Sequence, residues 1–138
     1  MINVTALKEC LKGNPEVIAA YLFGSAARVE SAVNDLDIMV LLRPSANKYE
    51  TYINLRYSLS KALRISEGHV DILFFDLEEA DPTVLFRAVN QGILLENKDP
   101  DALGDKIDAL SRYFLENEPM LRRAKRLRLE RLEAFCAN

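Results

Sequence analysis

The chain is poor in the features that mark several protein classes. Only two of its 138 residues are cysteine, Cys10 and Cys136. They stand near opposite ends in helical patterns, without the close spacing of a metal knuckle or redox pair, and so read as core or surface thiols. There is no excess of positive charge: 18 Lys and Arg against 21 Asp and Glu leave a net charge of -3. The surface as a whole therefore has no electrostatic reason to coat nucleic acid or an anionic membrane, and any phosphate binding must be local. Met1 to Cys10 carries Lys8 and Glu9 and lacks an apolar run of signal-peptide length, and no later stretch approaches a membrane span. The expectation is a cytoplasmic protein. Repeats and low-complexity linkers are missing as well. With 49% hydrophobic residues, the chain can bury one core comfortably but not two.

What is present is an alternation of helical and extended patterns. Val4, Leu7 and Leu11 recur at helical spacing before the stop Gly13-Asn14-Pro15. Val17 to Phe23 is continuously apolar and ends at Gly24, which predicts a strand covered on both faces. Asp35 to Leu42 predicts a second strand, closed by Arg43-Pro44-Ser45. From Ser45, read as a cap, Tyr52, Leu55, Leu59 and Leu63 mark one face of a long helix that ends at Ser66-Glu67-Gly68. His69 to Phe75 predicts a third strand, and the helical crossover before it is long enough to place it in the same sheet. Asp81-Pro82 opens another helix with Leu85, Ala88 and Val89 inward and Gly92 past its end. Ile93-Leu94-Leu95 reads as a last strand. From Asp99-Pro100 the pattern is helical to the end, with Pro119 either kinking one helix or starting a second. The expected fold class is mixed α/β: a small mixed sheet with flanking helices and a helical C-terminal arm.

The chemistry concentrates on the strands. Alternate residues of a strand project from one face, so Asp35 and Asp37 face one point with Cα atoms about 6.6 Å apart. Asp71, on another strand, joins them if the registers are adjacent. Such a cluster is repulsive without a cation between its members, and hard oxygen donors select Mg²⁺ or Mn²⁺. Because Mg²⁺ fills its remaining positions with water and substrate phosphate oxygens, the expected substrate is a nucleoside triphosphate. Gly24-Ser25 stands where a strand ends and the helix-like stretch Ala26 to Glu30 begins. Backbone N–H groups, the Ser25 hydroxyl and a glycine permitting close approach make an anion cradle, to which Arg28 could add charge.

Gly24-Ser25, the short loop, Asn34-Asp35-Leu36-Asp37-Ile38-Met39-Val40 and the later Val70-Asp71-Ile72-Leu73 together resemble the minimal nucleotidyltransferases of the DNA polymerase beta superfamily. The resemblance runs from about Val17 to Leu95. It implies a palm-like nucleotidyltransferase domain over residues 1–97, with residues 98–138 a helical extension packed on it. It also implies transfer of a nucleoside monophosphate, AMP from ATP, with Asp35, Asp37 and Asp71 as metal-binding and catalytic residues and Gly24, Ser25 and Arg28 binding the nucleotide. Two ions then divide the work between acceptor and leaving pyrophosphate. Small members of this family often pair with a HEPN-domain toxin, a ribonuclease silenced in some cases by AMP on a tyrosine. The expected partner is therefore such a toxin, and neither a membrane nor nucleic acid directly. The alternative is a degenerate member that neutralises its partner by binding alone; it draws on Val29, where the family commonly has glycine, and on a loop one residue short.

Other residues carry blander readings. His69 shares a face with Asp71 but reads as structural, since a lone strand histidine usually is. Arg28 serves equally well as a surface residue paired with Glu30. Tyr52 falls among helix leucines and reads as core. Arg122, Arg123, Lys125, Arg126, Arg128 and Arg131 form a local basic cluster, read as a solvated helix face, with a partner contact as the sharper possibility.

Overall fold

A computed structural model of the chain describes residues 2–24 and 35–137. The first helix, α1 (Val4–Gly13), is capped by Asn3, whose side chain accepts from the Ala6 N–H, and buries Leu7 and Leu11 one turn apart. Strand β1 (Val17–Phe23) follows, then β2 (Leu36–Leu42), α2 (Lys48–Leu63), a 3₁₀ turn at Glu67–His69 and β3 (Val70–Phe74). Helix α3 (Pro82–Gln91), β4 (Ile93–Asn97) and the long α4 (Pro100–Ala137) complete the order.

Among the described residues, the four strands form one sheet in the order β3-β2-β1-β4. β1 pairs antiparallel with β2 and β4, while β2 and β3, joined through α2, run parallel. This is the mixed sheet with flanking helices that the patterning predicts. β1 lies inside the sheet with both faces covered, and six of its seven residues are buried; a run without polar alternation suits that place.

Two cores follow from the alternation. Leu36, Ile38 and Val40 face α1 and α2, packing with Leu7, Leu11, Leu55 and Leu59. Tyr21, Met39 and Leu41 face the other way, against Leu85 and Ala88 of α3 and Leu103 and Leu110 of α4. Burying each such leucine contributes about 1.5–3 kcal/mol. α4 packs through Leu103, Ile107, Leu110 and Phe114, a helical stripe, with Phe114 and Phe86 of α3 4.8 Å apart between ring centroids. From Glu118 onward every described side chain is exposed, including Arg122, Arg123, Arg126 and Arg131 of the basic cluster. Pro119 lies within a helix that continues through it to Ala137.

The ends of α2 differ from the sequence expectation. Its N-cap is Asn47, accepting from the Glu50 N–H, and not Ser45. Ala46 N–H bonds instead to the Arg43 carbonyl, so Arg43 to Ala46 forms a turn that ends β2 before the helix begins. The C-cap is Arg64 in the left-handed conformation at φ 55°, two residues before Ser66. Ser66 caps the 3₁₀ turn by accepting from Gly68 N–H, and that turn delivers the chain to β3.

Candidate active site

The parallel pairing of β2 and β3 decides what faces what. Leu36 lies opposite Val70 and Asp37 opposite Asp71. Adjacent strands are about 4.8 Å apart, so two carboxylates stand side by side on the face that carries Met39 and Leu73 further along. One rung earlier on the same face, Asp35 meets His69, whose Nδ1 lies 2.6 Å from Asp35 Oδ1. Four polar side chains thus occupy two successive rungs where the apolar face of the sheet ends.

Asp37 is half-buried, whereas Asp35, His69 and Asp71 are exposed. Its carboxyl is held above its ordinary value, first by burial and then by the charges of Asp71 and Asp35. Gly24, at the end of β1, completes the corner from the other flank. It adopts φ 70°, and a Cβ there would run into the Asp37 carboxylate. Both its conformation and the space beside it therefore require glycine. Phe23, its neighbour, pairs with Asp37 across β1 and β2. Ser25 and Arg28, predicted to bind phosphate, lie outside the described residues, as does the helix-like stretch that begins at Ala26.

The acids open on a cleft of about 350 Å³ lined also by Tyr52 and Arg56 of α2 and by Gly68 and His69. His69, read from the sequence as structural, borders this cleft and holds Asp35. The signal was present: His69 precedes Asp71 by two residues just as Asp35 precedes Asp37, so parallel register pairs all four. Tyr52 is partly buried and meets Phe74 edge-on at 6.4 Å, so one edge is core and another lines the cleft. Arg56, one turn further along α2, had no sequence signal. A larger hollow of about 470 Å³ lies at the opposite ends of β2 and β3, beside Arg43, Lys48, Asp76 and Lys106. There Lys48 is paired with Asp76 and Glu79.

The donors bear on the expected divalent ion. Among the described residues, no three His, Cys, Asp or Glu side chains close around a common ion position. Asp35 is turned to His69, leaving Asp37 and Asp71 as the facing pair. Two hard carboxylates are the number Mg²⁺ commonly takes from protein, so the donor chemistry fits Mg²⁺ or Mn²⁺.

A mixed sheet with this strand order, an acid pair on adjacent strands and a glycine corner beside them define the class as a palm-like nucleotidyltransferase fold. The chain belongs to the polymerase beta nucleotidyltransferase family, whose model matches residues 5–101. Solved structures with the same fold include a toxin-antitoxin with AMP-PNP, 22% identical over 90% of this chain and 99% of that one, with a TM-score of 0.64. The MntA-HepT toxin-antitoxin is 22% identical over 88% of this chain and 96% of the other, with a TM-score of 0.57. A third is the tri-AMPylated HEPN toxin of Shewanella oneidensis in complex with MNT antitoxin, 21% identical over 88% and 95%, with a TM-score of 0.58. The sequence finds no significant match among curated proteins. Among the described residues, no helix is long and apolar enough to cross a membrane.

Proposed function

We propose that this protein transfers AMP from ATP to a tyrosine hydroxyl of a HEPN-type toxin and so acts as its antitoxin. The observation that carries the reading is the β2–β3 register, which sets Asp71 opposite Asp37, with Gly24 pressed against Asp37 on the other side. Support for the partner comes from the neighbours: one holds AMP-PNP, and another contains an AMPylated HEPN toxin.

Asp37 and Asp71 are the residues that would hold Mg²⁺, and Asp35 would join them on leaving His69. When bound, the metal neutralises phosphate charge and lowers the acceptor hydroxyl's pKa. The protein's own part is mainly positioning. The Gly24 corner and the Ser25 and Arg28 that follow it receive the triphosphate, and Asp37, between the two flanks, would act on the α-phosphate through the ion it holds. A carboxylate oxygen of Asp71 accepts the acceptor's proton as the hydroxyl oxygen bonds to the α-phosphorus. The bond from that phosphorus to the bridging oxygen breaks, and pyrophosphate leaves with its electron pair.

Intact-mass analysis of a co-purified partner, after incubation with ATP and Mg²⁺, tests the proposal. Sub-stoichiometric protein is expected to add AMP to an excess of partner and inactivate it, while Asp35→Ala with Asp37→Ala loses this. Equal, ATP-independent, one-to-one inhibition by both proteins would show a binding module instead.

A further inference from the structure

Among the described residues, the lining of the cleft includes an arginine that the reaction above leaves without a task. Arg56 is partly buried on α2, and its Nε donates to the Glu67 carbonyl oxygen at 2.8 Å. Its guanidinium carbon lies 5.9 Å from the centroid of Tyr52, one turn earlier. These two contacts hold the guanidinium, and among the described residues its Nη groups make no hydrogen bond. Among the described residues, no carboxylate stands within salt-bridge distance of it, although it lines the same cleft as Asp35, Asp37 and Asp71. Arg56 therefore makes no direct ion pair with the acid cluster. A guanidinium has donors only, in a rigid fork that matches a planar oxyanion.

Its place in the sheet says which substrate it meets. With the order β3-β2-β1, Gly24 lies on the β1 flank of Asp37, whereas Arg56, on the helix that covers the opposite face of the sheet, reaches the cleft at the edge strand β3, where it is tethered to Glu67. The glycine corner is the flank built for close backbone approach to phosphate. The opposite flank, where Asp71 and Arg56 stand, is the one left for the group that receives the nucleotide. We propose that Arg56 is a specificity-determining residue, binding an oxyanion that the acceptor carries: an acidic side chain next to the accepting hydroxyl. The inference rests on the nucleotidyl-transfer reading for what the cleft receives. The other source of an oxyanion is a phosphate of the incoming nucleotide, and the experiment separates the two.

Two fluorescein-labelled tyrosine peptides, one with glutamates flanking the tyrosine and one with glutamines, are titrated with the full chain, Mg²⁺ and AMP-PNP, and followed by anisotropy. Wild type is expected to bind the glutamate peptide roughly tenfold more tightly, the order of one charge-assisted pair. Arg56→Gln brings the ratio near one, Arg56→Lys keeps part of it, and AMP-PNP affinity measured by calorimetry stays unchanged in both. A purely structural role for Arg56 would not move this ratio. Circular dichroism checks folding, and Arg56→Lys carries the test alone if the glutamine variant does not fold. No preference in wild type, a preference kept in Arg56→Gln, or a loss of AMP-PNP affinity in its place would overturn the proposal. A parallel mass measurement with ATP keeps the two readings apart. Preference without AMP on either peptide rejects tyrosine transfer and leaves the Arg56 site standing, whereas equal transfer to both peptides without preference does the reverse.

Discussion

Replacing Asp37 with Asn is expected to make the ligand-free protein more stable and the ligand-bound protein less so. Asp37 and Asp71 are register partners on adjacent parallel strands, which places their charges about 5 Å apart. At that distance two like charges repel by about 0.8 kcal/mol at the dielectric of water and about 3 kcal/mol at an effective value of 20. Asp71 is exposed and Asp37 only half-buried, so the lower end applies, and about 1 kcal/mol is the working figure. For a chain of this size that corresponds to a rise in Tm of about 3–5 °C. The pH dependence fixes the sign. Asp37's carboxyl is raised by burial, then by Asp71 and Asp35, so the folded state takes up its proton more readily than the unfolded one. The stability this supplies is fully present below the ordinary carboxylate range and is lost as pH rises through the raised value. The amide of the Asp37→Asn variant cannot ionise, so the variant's advantage should appear across that window, persist at neutral pH and vanish in acid. Thermal melts from acid to neutral pH measure it. Melts with Mg²⁺ and ATP should show wild type gaining more than the variant, as the proposed binding of the ligand through this carboxylate requires. An apo variant less stable than wild type at neutral pH, or an equal ligand-induced gain in both, would refute the reasoning.

Gly24→Ala should lose most nucleotide transfer, since the added Cβ displaces the Asp37 carboxylate; φ 70° adds roughly 1 kcal/mol of strain, and steady-state kinetics beside denaturant unfolding separate the two effects. Lys98→Met should cost about 1–2 kcal/mol in urea unfolding with transfer intact, because the Lys98 Nζ donates to the carbonyls of Leu11, at 3.3 Å, and Asn14, at 2.7 Å, where α1 ends. Lys48→Met should destabilise by under about 1 kcal/mol, the ammonium being partly exposed. The hydrogen bond from Lys48 holds Asp76 below its ordinary carboxylate value, so this loss is full above the ordinary carboxylate range and disappears as pH falls through Asp76's lowered value; a pH series of melts reads it.

The sequence by itself determined what depends on neighbours in the chain. The unbroken apolar run of β1 required cover on both faces, and the alternation in Asp35 to Met39 put two acids on one side. A sixteen-residue α2 between β2 and β3 made their parallel pairing the natural one, because a crossover of that length returns the chain in the same direction. The ordered set from Gly24 to Asp71 carried the family. Register, however, is a relation between strands: moving β3 by one residue would send Asp71 to the opposite face with no change in its own pattern. Only the packed sheet set Asp71 beside Asp37 and His69 beside Asp35. The caps of α2 turned likewise on which local bonds survived packing, so Ser45 gave way to Asn47 once Arg43 to Ala46 closed a turn. Arg56 shows the limit most plainly. An arginine on a helix face reads as solvated from sequence alone, and it borders the acids because the turn at Glu67 folds back to offer it a carbonyl, a contact made across eleven residues by tertiary packing.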